Sequence, residues 1–269
     1  MISTIILTRN SEKYIKRCLD SLIFDLRNSN LDFEIFVVDN GSEDKTKEIL
    51  DEYQKQGQIN LIVLKENRGT TYPRNLAIKK ASGEFILILD SDTETKSGTV
   101  KKLLSELQKN DKIGIVAPKL LYSDGSVQQS YKKFPTIQLK FLKSLPFDWA
   151  QRLASQLELY DFIMGEEKSY NVDYCISAFW LLRRQVIDKV GLLDEKIFYA
   201  PEDVDYCLRV WLGGYTVAYY PTAEVIHYTQ RLSYKNKKVA ASHLRGLLYF
   251  FKKHHYWFSR KNIYGRIYI

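Results

Sequence analysis

Phe85-Ile86-Leu87-Ile88-Leu89-Asp90-Ser91-Asp92 is the stretch that decides the fold of this chain. Five consecutive apolar residues read as a strand buried on both faces, the kind found in the middle of a parallel sheet. Such strands deliver ligand groups at their carboxyl ends. This run ends in two acids spaced i, i+2, which extended backbone points to one side. Two carboxylates so placed can hold a hard divalent cation against a phosphate-bearing ligand. An acidic turn closing a strand is the plainer alternative.

Strand and helix signals alternate on both sides of that run. Ser3–Leu7 is a short apolar strand, and from Ser11, a candidate N-cap, Ile15, Cys18, Leu19, Leu22, Ile23 and Leu26 recur at helical spacing. Phe33–Val38 is the next strand, followed by a helix with Ile49, Leu50 and Tyr53 facing inward. Leu61–Leu64 is a third, and Pro73 sits where the first turn of a short helix tolerates it. Beyond Leu89 come a helix carrying Val100, Leu103, Leu104 and Leu107, then the strand Ile113–Ala117. The alternation predicts an α/β architecture, a mostly parallel sheet covered by helices.

The pattern changes after Pro118. Asp124-Gly125 reads as a hairpin turn, and residues 131–170 are aromatic, basic and weakly periodic. Strands are expected at Val172–Cys175 and Phe179–Leu182, then a helix from about Glu202 to Leu212 that stops at Gly213-Gly214. Two strands, Thr216–Tyr219 and Ala223–His227, close the body.

The chain has 269 residues, 45% of them hydrophobic, enough for one large domain or a domain with an appendage. No stretch approaches the length needed to span a bilayer. The start, Met1 to Leu7, is too short and too little basic for a secretion signal, so a cytoplasmic protein is expected. Cys18, Cys175 and Cys207 are odd in number and lack metal-ligand spacing, which suits buried thiols in a reducing compartment. The net charge of +8 is uneven: from Val225 to Ile269 there are ten Lys or Arg residues and no Asp or Glu. The basicity belongs to this tail, and no nucleic-acid partner is expected of the body. Its mixture of basic residues with Leu247, Leu248, Phe250, Phe251, Tyr256 and Trp257 fits a helix packed on the body. The alternative is an interfacial helix on an anionic membrane surface.

Four further positions carry candidate chemistry. Asp39-Asn40-Gly41-Ser42 follows a buried strand at the same sheet edge as Asp90; its carboxylate can accept from a base N–H or a ribose hydroxyl, or simply order a turn. Asn67-Arg68-Gly69 and Arg74-Asn75 lie on that edge too, offering guanidinium groups to a diphosphate or to solvent. Glu202-Asp203 opens a helix, where acids complement the macrodipole or supply a rigidly held general base. Asp205 reads as a structural acid. His227 ends the last strand, as a structural histidine or as a ligand beside Asp92. Neither GxGxxG nor GxxxxGK[ST] is present, which argues against nicotinamide dehydrogenases and P-loop enzymes. An aspartyl-phosphate phosphatase would want Thr where Glu94 stands.

Over about residues 3–230 these segments resemble glycosyltransferase family 2, on the fold called GT-A. Ile5-Ile6-Leu7-Thr8-Arg9-Asn10 is similar to its first strand and nucleotide-facing turn, Val37 to Ser42 to its base-binding acid, and Asp90-Ser91-Asp92 to its DxD. The ordered set Ala178 to Arg184, Val190 to Glu195 and Glu202 to Arg209 resembles the rhamnosyltransferase-type branch, with its arginine pair, GxxDE and EDVD. The resemblance implies an inverting, metal-dependent transfer of rhamnose or another hexose from a UDP-, dTDP- or GDP-linked donor. The acceptor would be a glycan or lipid-linked glycan in cell-surface polysaccharide assembly, at the inner face of the membrane.

It also implies roles. Asp39 would read the base; Thr8, Asn10, Arg74 and Ser91 would line the nucleotide site; and Asp90 would contact ribose. Asp92, with His227, would carry Mg²⁺ or Mn²⁺. Asp203 would be the base, and Ser177 and Glu202 would lie on the acceptor side. Ser177 departs from the branch's usual Gly, which bears on the acceptor pocket. Thr229-Gln230-Arg231-Leu232 does not supply the QxxRW of processive synthases. The expected organisation is a domain over 1–230, with a nucleotide-binding half (1–120) and an acceptor half (121–230), followed by a basic aromatic tail over 231–269. Two other readings are a non-catalytic nucleotide-sugar-binding module and a sugar-phosphate nucleotidyltransferase. The latter would want a glycine-rich loop where Thr8-Arg9-Asn10-Ser11 stands.

Overall fold

Strands apolar on both faces must be covered on both faces, and the computed structural model has helices on each side of one large sheet. It describes residues 1–160, 168–229 and 237–267, with side chains in the last segment from 241 onward. Gln230, Arg231 and Lys235 of the basic tail lie outside the described residues, as do the side chains of Lys237 and Lys238.

In chain order the first half comprises β1 (Ile2–Thr8), α1 (Ile15–Asn28), β2 (Phe33–Asn40), α2 (Thr46–Lys55), β3 (Asn60–Leu64), α3 (Thr71–Lys80), β4 (Phe85–Asp90), β5 (Thr93–Thr95), α4 (Thr99–Lys109) and β6 (Ile113–Leu121). The second comprises β7 (Val127–Gln128), β8 (Tyr131–Lys132), α5 (Ile137–Ser144), α6 (Asp148–Glu158), β9 (Tyr170–Asn171), β10 (Tyr174–Cys175), β11 (Phe179–Arg183), α7 (Arg184–Val190), α8 (Glu202–Leu212), β12 (Thr216–His227), α9 (Lys237–His254) and α10 (Lys261–Ile267). The sheet order is β3-β2-β1-β4-β11-β6-β12-β5. The strands β1 to β4 are parallel, and β6 and β12 run the same way, separated from β4 by antiparallel β11. Six carboxyl ends therefore share one edge.

Strand periodicity sorts the core into two layers. On β4, Ile86 and Ile88 face the layer that holds Ala77 of α3, Tyr206 of α8 and Phe250 of α9. Phe85, Leu87 and Leu89 face Cys18 and Leu22 of α1 and Leu103 of α4. All three cysteines are buried free thiols.

Three sequence expectations need correction. The two closing strands are one, β12, with a register shift between Tyr220 and Glu224. Pro221 has no N–H to donate, so the ladder slips there without the strand ending. Of Val172–Cys175 only Tyr174–Cys175 is strand, β10 paired with β8, while β9 pairs with β12 just before it. The weakly periodic stretch holds two helices, α5 and α6. Their apolar residues Phe141, Phe147, Trp149 and Leu153 are exposed, so no single buried stripe marks the pattern.

The tail helix packs on the body. Leu247, Phe250, Phe251 and Tyr256 are buried in the same layer as Trp180 and Tyr206, while Leu244, Leu248 and Phe258 stay exposed. Among the described residues, no helix is long and apolar enough to cross a membrane.

An ionic knot fixes α9 to α8. Asp205, 1% exposed, accepts from His254 Nε2 at 2.8 Å, Lys253 Nζ at 2.7 Å and Arg209 Nε at 3.0 Å. Lys253 also reaches Asp194 Oδ2 at 2.7 Å. Burial alone would push the Asp205 carboxyl up; His254, Arg209 and Lys253 overcome it and hold it at about 2. Asp205→Asn is expected to cost about 3–5 kcal/mol at pH 7 by urea unfolding, because it strands buried cations. A carboxylate with a depressed folded pKa stabilises above its unfolded value, about 3.9, and less and less below it. The deficit should therefore shrink as pH falls from about 4 toward 2.

Candidate active site

The shared edge gathers the sequence's acids. Thr8 pairs with Asp39 across β1 and β2, and Leu7 pairs with Asp90 across β1 and β4. Two strand spacings separate Asp39 from Asp90, about 10 Å. Asp39 accepts from the backbone N–H of Ser42 at 3.2 Å and from its hydroxyl at 2.5 Å. Burial pushes its carboxyl up against those bonds. Gly41, at φ +73°, makes this turn, and a Cβ there would meet the Glu66 backbone at 2.9 Å. Asn10 sews the two loops together: its N–H donates to Ser42 Oγ at 2.9 Å, and its Oδ1 accepts from Glu43 N at 2.8 Å. Thr8 lies enclosed beneath this wall, its hydroxyl without a protein partner. Arg68 sits at the exposed rim, 5.2 Å over Tyr72 and 3.1 Å from Glu66.

Arg74 joins the sheet edge to α8. Its Nη2 donates to Asp90 Oδ1 at 2.6 Å, and its Nη1 to Ser177 Oγ at 3.0 Å and Glu202 Oε1 at 3.4 Å. The residue is buried, so one guanidinium holds the end of β4, the approach to β11 and the start of α8 in one place. Burial raises the Asp90 carboxyl, with Arg74 opposing and Asp92 adding to the rise.

Asp92 Oδ1 lies 3.4 Å from His227 Nε2, and Tyr228 N donates to the Asp92 carbonyl at 2.8 Å. The other ring nitrogen, His227 Nδ1, is 2.9 Å from Gln128 Oε1. Gln128 Oε1 accepts there, so Nδ1 carries a proton, and Nε2 faces Asp92, where it can ligate once its own proton is lost. Burial would lower the imidazole pKa, yet the Asp92 hydrogen bond carries it upward. Ser91 shares a 2.8 Å hydrogen bond with Ser11, fixing the turn between the acids. Asp90, Asp92 and His227 each offer a ligand atom, all within 4.8 Å of one another. Two carboxylates and one imidazole with an oriented Nε2 fit a Mg²⁺- or Mn²⁺-sized cation.

The start of α8 supplies the last acid. The loop before it is tied to α3: Thr71 Oγ1 donates to Ile197 O at 2.9 Å, and Asn75 exchanges bonds with Leu193 at 2.9 and 3.1 Å. A Cβ on Gly69 would collide with the Phe198 carbonyl. The Asp203 carboxyl is pushed up to about 7, first by burial and then by the Glu202 charge, against Lys140 and Lys132. Burial, and after it the charges of Glu202, Asp90, Asp203 and Asp92, raise the Tyr199 hydroxyl to about 12. The charges of the β4 and α8 acids thus all reach Tyr199.

Sequence reasoning placed these acids and left the role of His227 open; it missed Gln128 and Tyr199. Gln128 sits in a two-residue strand and has no signal of its own; Tyr199 lies beside Glu202 in a loop without periodicity. Gln128→Ala is expected to weaken Mn²⁺ binding about 10–100-fold, as loss of a ligand-orienting partner does. Electron paramagnetic resonance titration of free Mn²⁺ measures this, and unchanged affinity would take His227 out of the site.

The sequence pattern of glycosyl transferase family 2 matches residues 3–191. Among curated relatives, the inactive polypeptide N-acetylgalactosaminyltransferase-like protein 5 of Macaca fascicularis is 26% identical over 219 residues, 80% of this chain and 48% of its own length. The poly(ribitol-phosphate) beta-N-acetylglucosaminyltransferase TarS of Staphylococcus aureus is 40% identical over 100 residues, 37% of this chain and 17% of its own. The chain spans less than half of either relative. The crystal structure of GalNAc-T7 with UDP, GalNAc and Mn²⁺ superposes with a TM-score of 0.67 at 17% identity, covering all of this chain and 57% of that one. The architecture is therefore GT-A. With the family pattern running through the acids of β2 and β4, the chain belongs to glycosyl transferase family 2.

Proposed function

We propose that this chain transfers a hexosyl group from a nucleotide-sugar to a glycan or lipid-linked glycan acceptor, with inversion, in cell-surface polysaccharide assembly. The observation that carries the reading is the Arg74 bridge, which ties Asp90 of β4 to Glu202 at the start of α8. Asp39, with Ser42 and Asn10 behind it, meets the base; Thr8, Arg74 and Ser91 shape the nucleotide floor; and Asp90 faces the ribose. Asp90, Asp92 and His227 are the residues that would hold Mg²⁺ or Mn²⁺. When bound there, such a cation neutralises charge on the departing diphosphate, worth several kcal/mol of barrier.

Asp203 does the proton work. In a single displacement the acceptor oxygen bonds to the anomeric carbon as the bond from that carbon to the diphosphate breaks. The hydroxyl proton goes to the Asp203 carboxylate. A carboxyl at about 7 is a stronger base than a solvated one and is half-ionised near neutrality. Ser177 and Glu202, held by Arg74, border the acceptor side.

A second reading, a binding module without turnover, draws on the Macaca relative being described as inactive. Intact Asp92 and Asp203 favour the enzyme. Incubation with UDP-, dTDP- and GDP-hexoses and Mn²⁺ decides: the enzyme reading predicts slow hydrolysis of one donor. Asp203→Asn should lower kcat about 10²–10⁴-fold with nucleotide affinity unchanged. The wild-type rate should rise with pH through about 7 and level off above it, since only the ionised base accepts a proton. No hydrolysis of any donor supports the binding module, and near-normal turnover of the variant removes Asp203 as the base.

A further inference from the structure

Two ammonium groups share the Glu158 carboxylate, and a third stands beside them. Lys143 of α5 places Nζ 2.5 Å from Glu158 Oε2, and Lys132 of β8 lies 3.4 Å from the same oxygen. Lys140, one turn before Lys143 on α5, has no hydrogen bond or ion pair from its ammonium among the described residues. Glu158 is buried and answers one charge of the three. Lys132 and Lys140 are half-buried and Lys143 opens to solvent, so the crowded ammonium groups remain accessible to an anion from outside. Lys140 shows the strain: burial, then the Lys143 charge, push its ammonium down to about 8.

β8, which carries Lys132, pairs with β10, and the Cys175 carbonyl of β10 accepts from Cys207 Sγ, one turn after Asp203 on α8, so the cluster lies on the Asp203 side of the site. The charges acting on Asp90 come from Arg74, Asp92, His227 and Glu202, whereas those on Asp203 come from Glu202, Lys140 and Lys132. His243 of α9 borders the same space, feeling Lys140 and Glu202. A neutral glycan would leave the excess charge unanswered. A phosphate brings one or two negative charges and several acceptor oxygens, which is what separate ammonium points recognise.

We propose that Lys140, flanked by Lys132 and Lys143, binds a phosphate of the acceptor and so presents its hydroxyl to Asp203. The inference rests on the transferase reading above. The phosphate has two sources of the same chemistry: a diphosphate joining glycan to lipid, or the phosphodiester of a polyol-phosphate chain.

The test uses the full chain with UDP and Mn²⁺ and two pairs of probes in isothermal titration. Farnesyl diphosphate is set against farnesol, and a glycerol-phosphate trimer against glycerol. The expected result is that at least one phosphate probe binds more tightly than its phosphate-free partner. Lys140→Gln should weaken that probe about tenfold or more, as loss of a charge-assisted hydrogen bond does. Lys140→Arg should restore it, while UDP–Mn²⁺ affinity, the check on folding, stays as in the wild type. Which probe prevails identifies the source. Should neither phosphate probe outbind its partner, or should Lys140→Gln weaken charged and uncharged probes alike, the subsite is refuted. UDP–Mn²⁺ binding is read first: its absence overturns the donor reading and this one with it, whereas its presence with failed phosphate arms overturns this one alone.

Discussion

A single buried guanidinium holds this molecule's site together. Arg74 pairs with Asp90, sixteen positions on, and with Glu202, 128 positions on, and donates to Ser177 between them. A buried cation with two carboxylates is a poor source of net stability, because desolvation takes back much of the Coulomb attraction. What it supplies is position. Remove Arg74 and two acids face each other without a counter-charge, one at the end of β4 and one at the start of α8. With Arg74 present, the carboxyl edge of the sheet and the helix bearing Asp203 are one construction.

The C-terminal helix belongs to that construction as well. Asp205 is locked by Lys253, His254 and Arg209, two residues after Asp203 on the same helix. A Cβ on Gly246 of α9 would strike the Ala200 carbonyl, so α9 crosses the approach to α8 with backbone against backbone. One helical turn thus carries two carboxyls with opposite fates. Asp205 is held at about 2 by its cationic partners, and Asp203 is pushed to about 7 by burial and by Glu202. Environment alone holds one as an anion and lifts the other into the range suited to proton transfer near neutral pH.

The central fold was readable because its signals are local. Phe85–Leu89 is apolar on both faces, and its even and odd residues enter the two core layers that period-2 backbone demands. The helix Glu202–Leu212 and its glycine stop were equally plain. The acids at 39, 90, 92 and 203 were singled out because they stand at strand ends and a helix start, where ligand groups collect. The rest depends on distance in sequence. Gln128 matters only because His227 lies 2.9 Å away, 99 residues on. The helices α5 and α6 hid because exposed Phe141, Phe147 and Trp149 blur their stripe, and the lysines around Glu158 were hidden with them. Pro221 reads as a strand breaker, yet β12 continues through it with a shift of register.

The central claim is that acids from three separated segments surround one cation and its diphosphate. Titrating Mn²⁺ into the UDP-bound, isotope-labelled protein and following amide resonances tests it most directly. The account predicts that residues 39–42, 90–93, 202–204 and 227 broaden together at low Mn²⁺, while those of the exposed α5–α6 turn stay sharp. Broadening confined to one of these segments, or centred elsewhere, would contradict it.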